Sequence, residues 1–258
     1  MLSPTTFVSC FVKVYDQEPY GHKTFEWRIE QFEKVLKTGV SIYLFVDSIT
    51  LPLVLPLLEK YPKQLYIDNI TQVSDESIDR MKAIDEYTYA LPIHRNTSKD
   101  TFGYFKCMHG KIDCVMKAIS VNPFESTHFA WMDVSMAYLF SNETTVYKLT
   151  ELANQKRSPG IYIPGCWNRY DSTKPDTVTN SIHWRFCGTF WVGDEESIRI
   201  FYSEYVKQWN KFHEITNHTF TWEVNYWAWL ETESPTIPFI WYASDHNDRL
   251  LTDFPNLY

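Results

Sequence analysis

The sequence predicts an α/β protein with a mostly parallel central sheet flanked by helices. Three observations predict it. Residues 6–14 and 41–46 are β-branched and aromatic runs with a helical-period segment between them. That is a βαβ unit, which implies parallel pairing. Residues 128–134 form an apolar run interrupted by Asp133, the pattern of a buried strand that empties at the sheet's edge. Strand-like and helix-like segments then alternate to the end, with no Gly/Ser linker and no internal repeat.

In chain order, residues 6–14 (TFVSCFVKV) read as the first strand, and the polar stretch 16–23 as a loop. Phe25, Ile29, Phe32 and Leu36 fall at helical spacing within 24–37, and Thr38-Gly39 closes that helix. Residues 41–46 are a buried strand ending at Asp47. A short helix is expected over 51–60, a short strand over 65–67 and a polar helix over 75–89. Residues 103–120 read as one helix carrying Lys106 and Lys111, broken by Asn122-Pro123. The strand 128–134 follows. Then come a helix over 143–154, an extended piece over 160–164, a polar loop over 170–179 and a strand over 184–192. Helices over 195–213 and 222–232 complete the pattern. One domain with a less regular C-terminal half is the expected organisation.

Bulk properties exclude several classes. The net charge is −8 with no basic stripe, which argues against a nucleic-acid partner. The longest apolar stretch, 48–58, contains Pro52 and Pro56 and is too short for a transmembrane segment. No basic n-region precedes an apolar run at the N-terminus, so no signal peptide is expected. Cys10, Cys107, Cys114, Cys166 and Cys187 are scattered and form no C-x-x-C pair. Neither a zinc site nor a disulfide framework is predicted, and reduced thiols in the cytoplasm are expected. Aromatic residues make up 17% of the chain. Part of that excess must be core, and the rest suits stacking on sugar rings.

Four segments can carry chemistry. Asp133 and Ser135 share one direction if the strand continues, and a carboxylate with a hydroxyl suits Mg²⁺ or Mn²⁺. The competing role for Asp133 is a cap on the next helix. Residues 241–249 gather Asp245, His246, Asn247 and Asp248 near the end of the chain, enough for a ligand and its support or for a surface turn. Residues 184–193 combine aromatics with Gly188 and Gly193, where glycine marks a bulge or a close approach. Glu223, between Trp222 and Val224, opens a helix. It either complements the helix dipole or, desolvated, serves as base or nucleophile. Lys106 and Lys111 are five residues apart and share no helical face. Either could reach a diphosphate or face solvent.

The order of these pieces resembles the YibB/HtrL family over nearly the whole chain. The resemblance rests on Asn-Pro-Phe (122–124) ahead of Phe-Ala-Trp-Met-Asp-Val-Ser (129–135) and on Arg-Phe-Cys-Gly-Thr-Phe-Trp-Val-Gly-Asp (185–194). It also rests on Trp-Glu-Val-Asn-Tyr-Trp-Ala-Trp-Leu (222–230) and the closing Trp-Tyr with Asp-His-Asn-Asp-Arg (245–249). That family is associated with surface-glycan gene clusters, and the layout looks like a GT-A glycosyltransferase. The resemblance implies one domain over 1–258, with a nucleotide-sugar-binding half over 1–135 and an acceptor-side half over 136–258.

It further implies a donor of the UDP or GDP type, a glycan acceptor and a site peripheral to a membrane that carries the acceptor. Asp133 would be the first residue of a DxD motif whose second Asp is replaced by Ser135. His246 would complete the shell of a Mn²⁺ or Mg²⁺ ion, and Glu223 would be the late catalytic carboxylate. Lys106, Lys111 and Trp131 would face the donor. Tyr15 and Asp47, on loops after the first two strands, would hold base and ribose. Gly188, Trp191, Trp222, Trp227 and Asp248 would form the acceptor side. The alternatives are a glycan- or nucleotide-binding module without turnover, and a nucleotidyltransferase or phosphate-ester hydrolase. The single glycine in residues 15–21 disfavours the phosphate loop that a nucleotidyltransferase would carry.

Overall fold

The computed structural model describes residues 4–16, 18 and 20–255; Gln17 and Pro19, in the first loop, lie outside them. β1 (Thr5–Phe11), α1 (Phe25–Leu36) and β2 (Ser41–Val46) form the expected opening unit. The Thr24 hydroxyl caps α1 by accepting the Trp27 N–H. α2 (Leu51–Lys60) leads to β3 (Leu65–Asn69). α3 (Glu76–Ala83) is shorter than the sequence suggests, because its apolar period stops at Ile84 and a 3₁₀ turn, Glu86–Thr88, follows. The helix expected over 103–120 is two, α4 (Phe102–His109) and α5 (Lys111–Val121), which meet at Gly110.

β4 (His128–Met132) comes next, then α6 (Lys148–Asn154), β5 (Ile161–Gly165) and the short α7 (Asp176–Thr179). β6 (Phe190–Asp194) runs directly into α8 (Glu195–Ile215), with Asp194 as the cap between them. α9 (Glu223–Glu233), β7 (Phe239–Ala243) and α10 (Arg249–Thr252) finish the chain.

Seven strands form one sheet in the order β3-β2-β1-β4-β6-β5-β7. Every pairing is parallel except those of β6, which runs antiparallel to β4 and β5. The other strands therefore end on one edge, where α/β sheets bind ligands. Alternate strand residues supply two cores. Val8, Phe45, Phe129, Trp131, Ile163 and Trp191 face one, which also takes α5, α8 and α9. Phe7, Leu44, Ala130, Met132, Tyr162 and Phe190 face the other, beneath α1, α2 and α6. The architecture is three layers, helix–sheet–helix. No helix among the described residues is long and apolar enough to cross a membrane.

Two departures from the sequence reading matter for the site. The strand expected over 184–192 exists only from Phe190. The preceding residues instead cross the end of β5, where an added Cβ on Gly165 would sit 1.7 Å from the Arg185 carbonyl oxygen. β7 was not anticipated; its residues pair with β5 and put the 244–249 cluster on the carboxyl edge.

Most of the aromatic excess is core. Trp191, Trp227, Trp229, Tyr205 and Tyr226 are fully buried. Two buried histidines sit in this aromatic layer. His109 Nε2 donates to the Thr221 carbonyl at 2.8 Å, and its Nδ1 faces the Tyr205 hydroxyl at 2.5 Å. His213 packs on Trp209 and Tyr89. Burial pushes both imidazoles down to about 3, so below pH 6.5 the unfolded chain binds protons that the folded one refuses. Stability therefore falls as pH drops from about 6.5 toward 3, by on the order of 2 kcal/mol per histidine between pH 7 and 5. Urea midpoints at the two pH values test this. In His109→Gln the acid loss should shrink, and an unchanged slope would remove His109 from the account.

Candidate functional site

β4 is fixed where it empties. The Ser9 hydroxyl donates to the Met132 carbonyl at 2.7 Å, and the Asp133 N–H donates to the Thr189 carbonyl at 2.9 Å. Asp133 does not cap the following 3₁₀ turn, Met136–Leu139, which has no side-chain cap. Its Oδ1 accepts the Trp131 indole N–H at 2.8 Å and lies 3.3 Å from Lys111 Nζ. Its other oxygen has no hydrogen bond among the described residues.

Lys111 is the hub of a buried bridge. Its ammonium lies 2.9 Å from Glu223 Oε1 and donates to the Gly188 carbonyl at 2.9 Å. It also stands over the Trp131 ring at 5.6 Å. Burial opposes its charge, but Asp133 and Glu223 outweigh burial and raise its pKa. Asp133 and Trp131 from the end of β4, Lys111 from α5, Gly188 and Glu223 are thus brought together from four separate segments.

The bridge is supported from behind. Arg185 grips Glu231 of α9 through two bonds of 2.8 and 2.7 Å. The Asn225 amide donates to the carbonyls of Val178 and Ser181 and to Thr221 Oγ1, and its oxygen accepts the His183 N–H. Gly188 is required by close approach, since an added Cβ would lie 2.3 Å from Glu223 Oε1. Gly188→Ala should push Glu223 off Lys111 and cost about 1–3 kcal/mol, read as a lower urea midpoint. A variant as stable as the parent would show that Glu223 moves away freely.

A cleft of about 220 Å³ opens on the carboxyl edge in front of Asp133. Trp131, Ser135 and Thr189 share its floor, and the chain after β1 forms one wall. Tyr15 and Tyr104 stand in a stacked pair, 6.4 Å apart at 19°. Lys23, Arg28 and Lys99 reach the same cleft. Arg28 is 3.0 Å from Glu18, and Lys99 is 3.3 Å from Asp100. Lys23 has no carboxylate partner among the described residues; it lies over the Tyr138 ring at 4.2 Å. Burial, then the charge of Arg28, lowers its pKa. An entering anion would relieve both.

Other expected site residues lie elsewhere. Lys106 donates to the carbonyls of Lys82 and Ile84, at 2.8 and 2.9 Å, tying down the end of α3 away from the cleft. Asp47 accepts the backbone N–H groups of Lys13, Ile49 and Thr50, so it organises the turn after β2. Asp248 accepts from Ser141, Asn142 and Thr145, which hold its carboxyl well below the usual range. Trp191, Trp222 and Trp227 are packed in the core with at most 3% exposure and present no face to solvent. His246 Nδ1 is 3.2 Å from Asp245 Oδ1, and its ring packs edge-on against Trp184. No contact joins it to Asp133 or Ser135 among the described residues. Glu223 is 4% exposed and lies behind Lys111, outside the cleft lining.

No protein-family model matches the sequence and no curated protein matches it, so the expected kinship with YibB/HtrL has no support from sequence comparison. Solved structures match in fold. The apo form of mouse xyloside xylosyltransferase 1 matches at a TM-score of 0.51 and 9% identity, over 94% of this chain and 85% of that one. The fold is GT-A-like. Two looser matches to this GT-A-like chain have TM-scores below 0.5. One is a glycosyltransferase involved in glycosylation of the major capsid of PBCV-1, at 0.41 and 11% identity over 94% and 81% of the chains. The other is 4-diphosphocytidyl-2C-methyl-D-erythritol synthase from Anaerococcus prevotii, at 0.42 and 10% identity over 99% and 90%.

Lys23, Arg28 and Lys99 were not anticipated from the sequence. They are spread over a loop, the first turn of α1 and a second loop, with no shared motif. Only the fold brings them together.

Proposed function

We propose that the protein is a glycosyltransferase that binds a UDP- or GDP-type sugar in this cleft and transfers the sugar to a glycan hydroxyl in surface-glycan synthesis. The observation that carries the reading is the convergence of Asp133, three cations and a tyrosine wall at the carboxyl edge of a GT-A-like sheet. A diphosphate gains negative charge as its bond to the sugar breaks. Lys23, Arg28 and Lys99 offset that charge in a partly dehydrated cleft. Tyr15 and Tyr104 offer aromatic faces to the base.

The residues at the strand end fit Mg²⁺ or Mn²⁺. Asp133 has one carboxylate oxygen without a partner among the described residues, and the Ser135 hydroxyl caps no backbone N–H. Both are hard oxygens, and such ions take one or two protein ligands alongside substrate phosphates and water. When bound, the ion supplies Lewis-acid neutralisation of the leaving group. Lys111 already offsets part of the Asp133 charge, so the ion is held more weakly than by two aspartates.

Glu223 fixes Lys111 against Asp133. To act as base or nucleophile it must leave Lys111 when the acceptor enters, and the inverting or retaining outcome depends on that step. Glu223→Gln separates the roles. A positioning role weakens donor affinity; a base or nucleophile role lowers turnover at unchanged donor affinity.

A panel of nucleotide-sugars with Mn²⁺, read by calorimetry and by release of nucleoside diphosphate, tests the reading. Binding with release supports it. Binding without release favours the second reading, a binding module, which the burial of Glu223 makes a specific competitor. If no donor binds, both readings fail.

A further inference from the structure

The carboxyl edge holds a second chemical cluster that the donor cleft does not use. One ligand atom each from Cys166, Cys187 and Asp245 lie within 4.8 Å of one another. They come from three different segments: Cys166 follows β5, Cys187 precedes β6, and Asp245 follows β7. None of them lines the donor cleft.

The backbone holds the three in place without any ion. The Cys166 N–H donates to the Trp184 carbonyl at 3.0 Å, and the Cys187 N–H to the Pro164 carbonyl at 2.7 Å. The Ser244 N–H donates to the Gly165 carbonyl at 2.9 Å. The close crossing at Gly165 is what lets the two cysteine segments meet. His246 adds a nitrogen donor beside the cluster, 3.2 Å from Asp245 Oδ1, with its ring fixed against Trp184.

We propose that Cys166, Cys187 and Asp245 form a site for a thiophilic divalent cation of the Zn²⁺ class, with His246 as the group that orients Asp245. Two sulfurs and a carboxylate are ligand types that tetrahedral zinc takes, with a water able to fill the fourth position. Soft sulfur separates this site from the hard-oxygen position at Asp133, which selects Mg²⁺ or Mn²⁺. Cation binding releases the two thiol protons to solvent. Because those protons leave on binding, binding strengthens with rising pH.

The consequence is mechanical. The cation would pin the ends of β5 and β7 to the segment that presents Gly188, one residue after Cys187. Gly188 in turn receives Lys111 and faces Glu223. The site therefore steadies the bridge behind the donor cleft, though its existence does not depend on the glycosyltransferase reading.

The test uses the full chain with its thiols reduced, first stripped by a chelator. Zn²⁺ is titrated against a chromophoric competitor, and Co²⁺ serves as the spectroscopic probe. The expected result is one equivalent of tightly bound ion, a thiolate-to-cobalt charge-transfer band, and no competition from Mg²⁺. Cys166→Ser should abolish the band. Its side chain is exposed, so the variant folds even if Cys187→Ser does not, and far-UV circular dichroism confirms this. His246→Ala should weaken binding by roughly 10–100-fold. Absence of the cobalt band, or binding unchanged in Cys166→Ser, overturns the proposal.

Discussion

Asp133→Ala should abolish donor binding and leave the protein folded. The carboxylate sits on the floor of the cleft, 35% exposed in its side chain. It contributes one hydrogen bond to Trp131 and one contact to Lys111. Losing a partly exposed bond costs about 1 kcal/mol, too little to unfold a chain with two cores of this size. Donor turnover has more at stake. Asp133 would act on the donor by holding the divalent cation proposed above, and loss of an electrostatic stabiliser of a leaving group's charge costs about 10²–10³ in rate. Asp133→Asn keeps the shape and loses the charge, so it should resemble Ala in turnover and the parent in stability. Calorimetry with the best donor, beside a urea titration, reads both quantities. Full donor affinity in Asp133→Ala would remove this residue from the site.

Lys111→Met should be the most damaging single change for stability. Lys111 is 1% exposed, and its ammonium is the one cation that touches the buried Glu223 among the described residues. Removing it strands a carboxylate in a low-dielectric interior, which costs about 3–5 kcal/mol. It also frees the Gly188 carbonyl from its hydrogen bond. The cause is the orphaned charge, so the remedy is specific. Adding Glu223→Gln removes that charge and should return a large part of the loss, whereas Glu231→Gln should add a second defect at Arg185. Urea midpoints of the single and double variants give the coupling directly. A single variant within about 1 kcal/mol of the parent would show that water or a rotated Glu223 replaces the bridge.

Periodicity made the first half of the fold legible. Phe25, Ile29, Phe32 and Leu36 face the core as their spacing requires, and β1, β2 and β4 are β-branched, aromatic and apolar segments buried on both faces. The second half was less legible because local pattern does not fix tertiary crossing. Residues 184–189 have strand-like composition but are diverted across β5 at Gly165. β7 mixes half-exposed residues and sits at the sheet's edge, so it carries no strong alternation.

The site divides in the same way. Asp133 was readable as the residue that ends an apolar strand. Lys111 was read as a helical lysine that could face the donor; its role as a bridge was not legible, because Asp133, Gly188 and Glu223 lie 22, 77 and 112 positions away in sequence. The tryptophans expected to receive a sugar are core, since composition counts aromatic residues without saying which way they face. The cysteines showed no pairing signal because 21 positions separate Cys166 from Cys187, and only the sheet edge brings them together.

The most direct measurement of the central claim is a crystal soaked separately with UDP and with GDP in the presence of Mn²⁺. Nucleotide density is expected in the cleft, with the diphosphate among Lys23, Arg28 and Lys99 and facing Asp133, and the base against Tyr15 or Tyr104. Nucleotide bound elsewhere on the protein, or an empty cleft at saturating concentrations of both, would contradict it.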